Sequence, residues 1–158
     1  MPRMTDRQRV EALLLPQMML GVFIAGVSDP EAPDAIACKA DLVAASEDAL
    51  HGVDDKTRSK LLRRMFRVHE AVTQPYRIED ARVDKMGLIV YYLLSAVIDS
   101  GYMVMADGSH MSKAMDVMLP ALEPAANITK LDLSAQKAYR KLLYALQLDG
   151  YFQDVKML

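Results

Sequence analysis

Between Lys56 and Arg67 the chain carries six bases and no acid: Lys56, Arg58, Lys60, Arg63, Arg64 and Arg67. The stretch before it has the opposite sign, with eight acids from Asp29 to Asp55 against Lys39 as the one lysine or arginine. On a helix, Lys56, Lys60, Arg63 and Arg67 recur at i, i+4, i+7 and i+11 and stack as one stripe. Leu61, Met65, Val68 and Val72 form a parallel apolar stripe about 140° away. A basic face of this length can grip phosphates or an acidic protein surface. The competing reading folds segment 29–55 back as an antiparallel helix whose acids neutralise the bases. Exposed pairs of that kind contribute below about 1 kcal/mol each. We expect Lys56, Lys60, Arg63 and Arg67 to contact an acidic protein partner.

A second basic face lies near the C-terminus, in Leu133–Val155 (LSAQKAYRKLLYALQLDGYFQDV). Helical spacing turns Ala138, Leu142 and Leu146 inward and Lys137, Arg140 and Lys141 outward, before a Leu-Asp-Gly-Tyr-Phe exit. Over about twenty residues this run resembles the recognition helix and first wing strand of winged helix-turn-helix domains. The resemblance implies DNA contact through Lys137, Arg140 and Lys141. It departs from that pattern in having no tight helix-turn-helix before Ser134. DNA is therefore the alternative partner.

Other residue types offer less. Met103, Met105, His110, Met111, Met115 and Met118 crowd one region, and thioethers with an imidazole suit Cu(I). Methionine at helical spacing also serves as adaptable core packing, which is the reading we adopt. Cys38 sits in the Ala-rich stretch Ala35–Ala45 and reads as a small core residue. His69, beside the apolar stripe of its helix, reads as a packed histidine. Glu79, Asp80 and Asp84 cluster where a helix starts, a place that favours acids without any catalytic role. The sequence lacks a Gly-rich phosphate loop, His-Glu-x-x-His, Glu-x-x-His and Gly-x-Ser-x-Gly. We expect no cofactor, no metal site and no catalysis, with an enzyme whose site assembles only in three dimensions as the weakest reading.

These faces need helices to carry them. The stretch Met86–Ile98 (MGLIVYYLLSAVI) is apolar or aromatic except at Gly87 and Ser95, and a helix hydrophobic all round must be buried on all sides. At about 1.5 Å per residue it spans about 20 Å, short of the roughly 30 Å core of a bilayer. We therefore place it, as a helix covering about 79–105, at the centre of the fold. Around it the spacing predicts helix one from an N-cap at Thr5 to Val27, kinked at Pro16, and helix two from Pro33 to Leu50, capped by Asp29 or Asp34. Helix three runs from Asp54 to Thr73. Helix five follows Ser109 and ends raggedly at Pro120 and Pro124, a loop covers Asn127–Leu133, and helix six reaches Leu148. The second half of helix one, MMLGVFIAGV, is also apolar on every side. One bundle hides one such helix completely, so helix one is the expected homodimer contact.

Composition agrees with one all-α domain spanning residues 1–158. The chain has 158 residues, 52% hydrophobic and 25% charged, values far from the signature of disorder. Abundant Ala, Leu and Met with only 7 Gly favours helices. A net charge of −2 gives no global pull toward nucleic acid or anionic lipid, so any basic function must be local. A single cysteine excludes an intrachain disulfide, and we expect a cytoplasmic protein. Arg3, Arg7 and Arg9 before Ala12–Val27 give the outline of a secretory signal. Asp6, Glu11, Pro16 and Gln17 interrupt that outline, and we read the segment as a helix of the fold with no membrane partner.

Overall fold

Thr5 and Gln8 begin the fold with a reciprocal capping box. The Thr5 hydroxyl accepts the Gln8 N–H (3.2 Å) and the Gln8 side chain accepts the Thr5 N–H (2.9 Å). The computed structural model describes residues 4–74, 83–101, 106–129 and 133–157. Among them six helices form: α1 (Asp6–Gly26), α2 (Pro33–Ala49), α3 (Asp55–Thr73), α4 (Val83–Asp99), α5 (His110–Thr129) and α6 (Leu133–Leu148). The fold is all-α, with no strand among the described residues.

The ends of these helices show which local rules operate. At the start of α2 the predicted Asp caps are not used. Pro33 occupies the first turn after Ala32, and Asp29 instead accepts the Glu31 N–H in the preceding turn (3.2 Å). At its other end Arg9 of α1 donates to the carbonyls of Ala49 (2.8 Å) and His51 (3.3 Å), placing a cation at a helix C-terminus. α4 stops at Asp99, where Gly101 takes φ +73°, earlier than the predicted Met105. Positions 79–82 and 102–105 lie outside the described residues. α5 continues through Pro120 and Pro124 to Thr129 and α6 begins at Leu133, so positions 127–129 and 133, expected in a loop, are helical, and positions 130–132 lie outside the described residues. Met111, Ala114, Met115 and Met118 of α5 are buried, and this packing outweighs the donors lost at the prolines.

α1 takes the position expected of α4. It packs against α2, α3, α4 and α5, whereas α4 meets α1, α5 and α6. The reason lies in how apolar residues are spread around each helix. Val10, Leu13, Leu14, Leu15, Met18, Met19 and Val22 bury several sides of α1. In α4, Tyr91, Tyr92, Ser95, Ala96 and Ile98 are only half-buried, with Asp99 exposed beyond them. Gly87 marks the close approach of α4 to its neighbours: a Cβ there would stand 2.9 Å from Leu122 and 3.5 Å from Val22.

The tail after α6 is not a wing strand. Gly150, at φ +87°, turns the chain under the Arg7 guanidinium, and Tyr151, Phe152 and Val155 enter the core. Phe152 adopts φ +52°, a conformation that costs energy for a residue with a side chain. Its N–H reaches the buried carboxylate of Glu11 (2.9 Å), and Gln147 donates to the carbonyls of Phe152 (3.1 Å) and Val155 (2.8 Å). The Tyr151-Phe152 end of this exit is therefore a buried clasp between α6 and α1.

Two substitutions test this packing. Leu14→Ala should lower unfolding free energy by about 2–5 kcal/mol. Glu11→Ala, which removes the carboxylate that accepts the Phe152 N–H, should lower it by about 1–3 kcal/mol. Urea titration followed by helix circular dichroism measures both, and a Leu14→Ala loss under about 1 kcal/mol contradicts a central α1.

Candidate functional site

α3 is built to show one face. Asp54 caps it, accepting the Thr57 N–H at 2.7 Å, and that hydrogen bond holds the Asp54 carboxyl below its ordinary range. Leu61, Met65, Val68 and Val72 are buried, as their spacing predicts. Lys56, Lys60, Arg63 and Arg67 are exposed on the opposite side. The Arg63 Nε–H donates to the Ser59 carbonyl (3.3 Å), which lays that guanidinium along the helix surface.

The acids of segment 29–55 do not neutralise this face. α2 and α3 each pack on α1, and between their charges one ion pair forms among the described residues, Arg58 to Glu47 at 2.8 Å. Arg58 lies outside the stripe. Arg64 is also engaged elsewhere, with its guanidinium 5.7 Å from the Tyr151 ring centroid. Lys56, Lys60, Arg63 and Arg67 have no ion-pair partner among the described residues.

Sequence reasoning missed Phe66. It is 57% exposed, and with Lys60, Arg63 and Arg67 it lines an open depression on the α3 surface. Its signal was present in the spacing, one position before Arg67 and well away from the Leu61–Met65–Val68 face, so a large aromatic had to fall among the bases.

α6 places Lys137, Arg140 and Lys141 on its exposed side, and Ala138, Leu142 and Leu146 are buried, as predicted. Tyr144 (57% exposed) and Leu148 (69%) continue that outer side. α6 packs against both α3 and α4.

Met111, Met115 and Met118 are buried in the core, while Met103 and Met105 lie outside the described residues. His110 Nδ1 is 3.0 Å from Asp41, and no group of three His, Cys, Asp or Glu side chains converges among the described residues. Cys38 is fully buried with its thiol 3.9 Å from the Ala114 carbonyl, and burial pushes that thiol up and away from the reactive thiolate. A second depression, along α4, is lined by Tyr91, Tyr92, Ser95, Ala96, Ile98 and Asp99. It bears the hydroxyls of Tyr91, Tyr92 and Ser95 and the carboxylate of Asp99. No protein-family model, curated protein or solved structure matches the chain.

His69, on the inner flank of α3, is half-buried, and burial pushes its pKa below the ordinary 6.5. The unfolded chain then binds a proton that the folded chain refuses. Stability should therefore fall as pH drops through 6.5, and level off below the lowered folded value. Urea midpoints measured from about pH 7.5 to 5 should decline more steeply for the wild type than for His69→Gln. Equal slopes contradict burial as the cause.

Proposed function

We propose that this chain is a non-enzymatic interaction protein that binds an acidic segment of a protein partner through the outer face of α3. The observation that carries the reading is Phe66, exposed among Lys60, Arg63 and Arg67. Single exposed aromatics are common on solvated surfaces, but Phe66 shares one depression with Lys60, Arg63 and Arg67, and aromatic and arginine side chains together are enriched where proteins bind. The two kinds of residue have different tasks. Charges at the rim steer encounter and add little lasting affinity, while an aromatic removed from water slows dissociation. An acidic segment with an apolar residue in its middle fits both.

Nucleic acid is the second reading. It is favoured by the packing of α6 against α3, which brings Lys137, Arg140 and Lys141 to a helix neighbouring the α3 stripe. Stacking of a base on Phe66 would then replace the apolar anchor. The buried tail removes the wing from this version, leaving helix contacts alone.

Affinity capture separates the readings. The Lys60→Glu/Arg63→Glu/Arg67→Glu variant should lose the captured partner, and Phe66→Ala should weaken it by about 5- to 150-fold, mainly in dissociation rate. If the folded triple variant recovers every partner that the wild type recovers, the stripe is only a solvated face. A log affinity for double-stranded DNA that falls linearly with log salt promotes the second reading.

A further inference from the structure

The depression on α3 gathers three cations around one aromatic ring, and that combination narrows the anion it takes. Lys60, Arg63, Phe66 and Arg67 line it, with no acid among its lining residues. Lys60 and Arg67 flank Arg63 at i−3 and i+4, so the three charges fall within about 10 Å of helix. Two acids stand on the exposed side of α3 outside the depression: Asp55 in the first turn, and Glu70 a turn beyond Arg67. Neither forms an ion pair among the described residues. The Ser59 carbonyl takes the Arg63 Nε–H, which leaves the terminal N–H groups of that guanidinium for a ligand.

We infer that the acidic segment bound by this face carries a phosphotyrosine, its phosphate held by Lys60, Arg63 and Arg67 and its ring laid against Phe66. The inference rests on the α3 reading above and names the residue recognised. Charge is the first argument. A carboxylate brings one negative charge and two acceptor oxygens, whereas a phosphate monoester brings about −1.5 to −2 and three oxygens. Three neighbouring cations repel one another, and one dianion offsets more of that repulsion than one carboxylate does. Arginine adds geometry, because its planar fork grips two phosphate oxygens at once.

The ring is the second argument. Phosphotyrosine joins an aromatic ring and a dianion in one side chain, so a single residue meets both Phe66 and the bases, and paired aromatics gain beyond their buried area. Phosphoserine leaves Phe66 without a counterpart. A nucleic acid also joins phosphates to rings, but it spreads single charges along a strand instead of placing two at one point. The consequence is regulation: the partner binds once its tyrosine is phosphorylated and leaves once the phosphate is removed.

Fluorescence anisotropy of the full chain with a labelled peptide, Gly-Glu-Ala-phosphotyrosine-Ala-Glu-Gly, tests this. The phosphotyrosine form should bind at least about tenfold more tightly than the same peptide carrying tyrosine, phosphoserine or the singly charged sulfotyrosine. Arg63→Gln/Arg67→Gln should reduce the phosphotyrosine peptide to the affinity of the tyrosine form. Phe66→Ala should weaken it about tenfold and erase the preference over phosphoserine. These changes trim exposed side chains, and helix circular dichroism checks that the fold is kept. Equal binding of the four peptides overturns the inference, as does no binding of any of them at low ionic strength. A single-stranded oligonucleotide that displaces the phosphotyrosine peptide at equal or lower concentration overturns it in favour of nucleic acid. If the four peptides bind equally and Lys60→Glu/Arg63→Glu/Arg67→Glu abolishes that binding, the α3 reading stands and phosphotyrosine is excluded. If no peptide binds and that variant still recovers every captured partner, both readings fail.

Discussion

Covering α1 is the constraint on which the rest of the structure depends. Its seven buried aliphatic and methionine positions between Val10 and Val22 leave no side free for solvent over most of its length, and four helices are recruited to enclose it. Each of those helices then has one side inward and one side outward. The same helix also supplies polar fastenings: Arg9 closes the end of α2, and Glu11 reaches the tail through the Phe152 N–H. A strained, left-handed Phe152 is held because three hydrogen bonds to the Phe152 and Val155 backbone, together with its own burial, offset the cost.

Much of this was legible in the sequence, for reasons that can be stated. Thr5, Asp54 and Ser109 were readable as helix starts because a short oxygen side chain satisfies a first-turn N–H at any depth of burial. The inner row of α3 was readable because its period is 3.6 and its two sides differ sharply in polarity. The choice of α4 as the centre was not secure, because two all-round apolar stretches compete for one interior and composition does not rank them. Lys85, Tyr91, Tyr92, Ser95 and Asp99 fall on one side of α4, which is half-buried at its first four positions and exposed at Asp99, with Tyr92 edge-on to Tyr139 of α6. The tail was illegible for a different reason. A Gly-Tyr-Phe exit begins a strand or a buried turn equally well, and the decision rests on Glu11, more than a hundred residues away.

What remains outside follows from the same geometry. α2 and α3, both committed to α1, cannot fold their opposite charges onto one another beyond the Glu47–Arg58 bridge. The basic row of α3 therefore stays exposed, with Phe66 beside it. Pairwise, exposed charges stabilise little. Under the proposed reading their use is recognition, the basic row selecting an acidic partner and the aromatic holding it. The candidate site was half legible: the bases announce themselves in the sequence, but Phe66 acquires meaning only once its neighbours are seen to have no partner of their own.

The central claim is that the α3 outer face is a protein contact surface rather than a solvated one. A photo-crosslinking phenylalanine analogue in place of Phe66, with the same analogue in place of Tyr144 as an exposed control on α6, measures this most directly. The account predicts an adduct at position 66 that maps to an acidic segment of another polypeptide, disappears at high salt, and is absent at position 144. No adduct at 66, or the same salt-insensitive adducts at both positions, contradicts it.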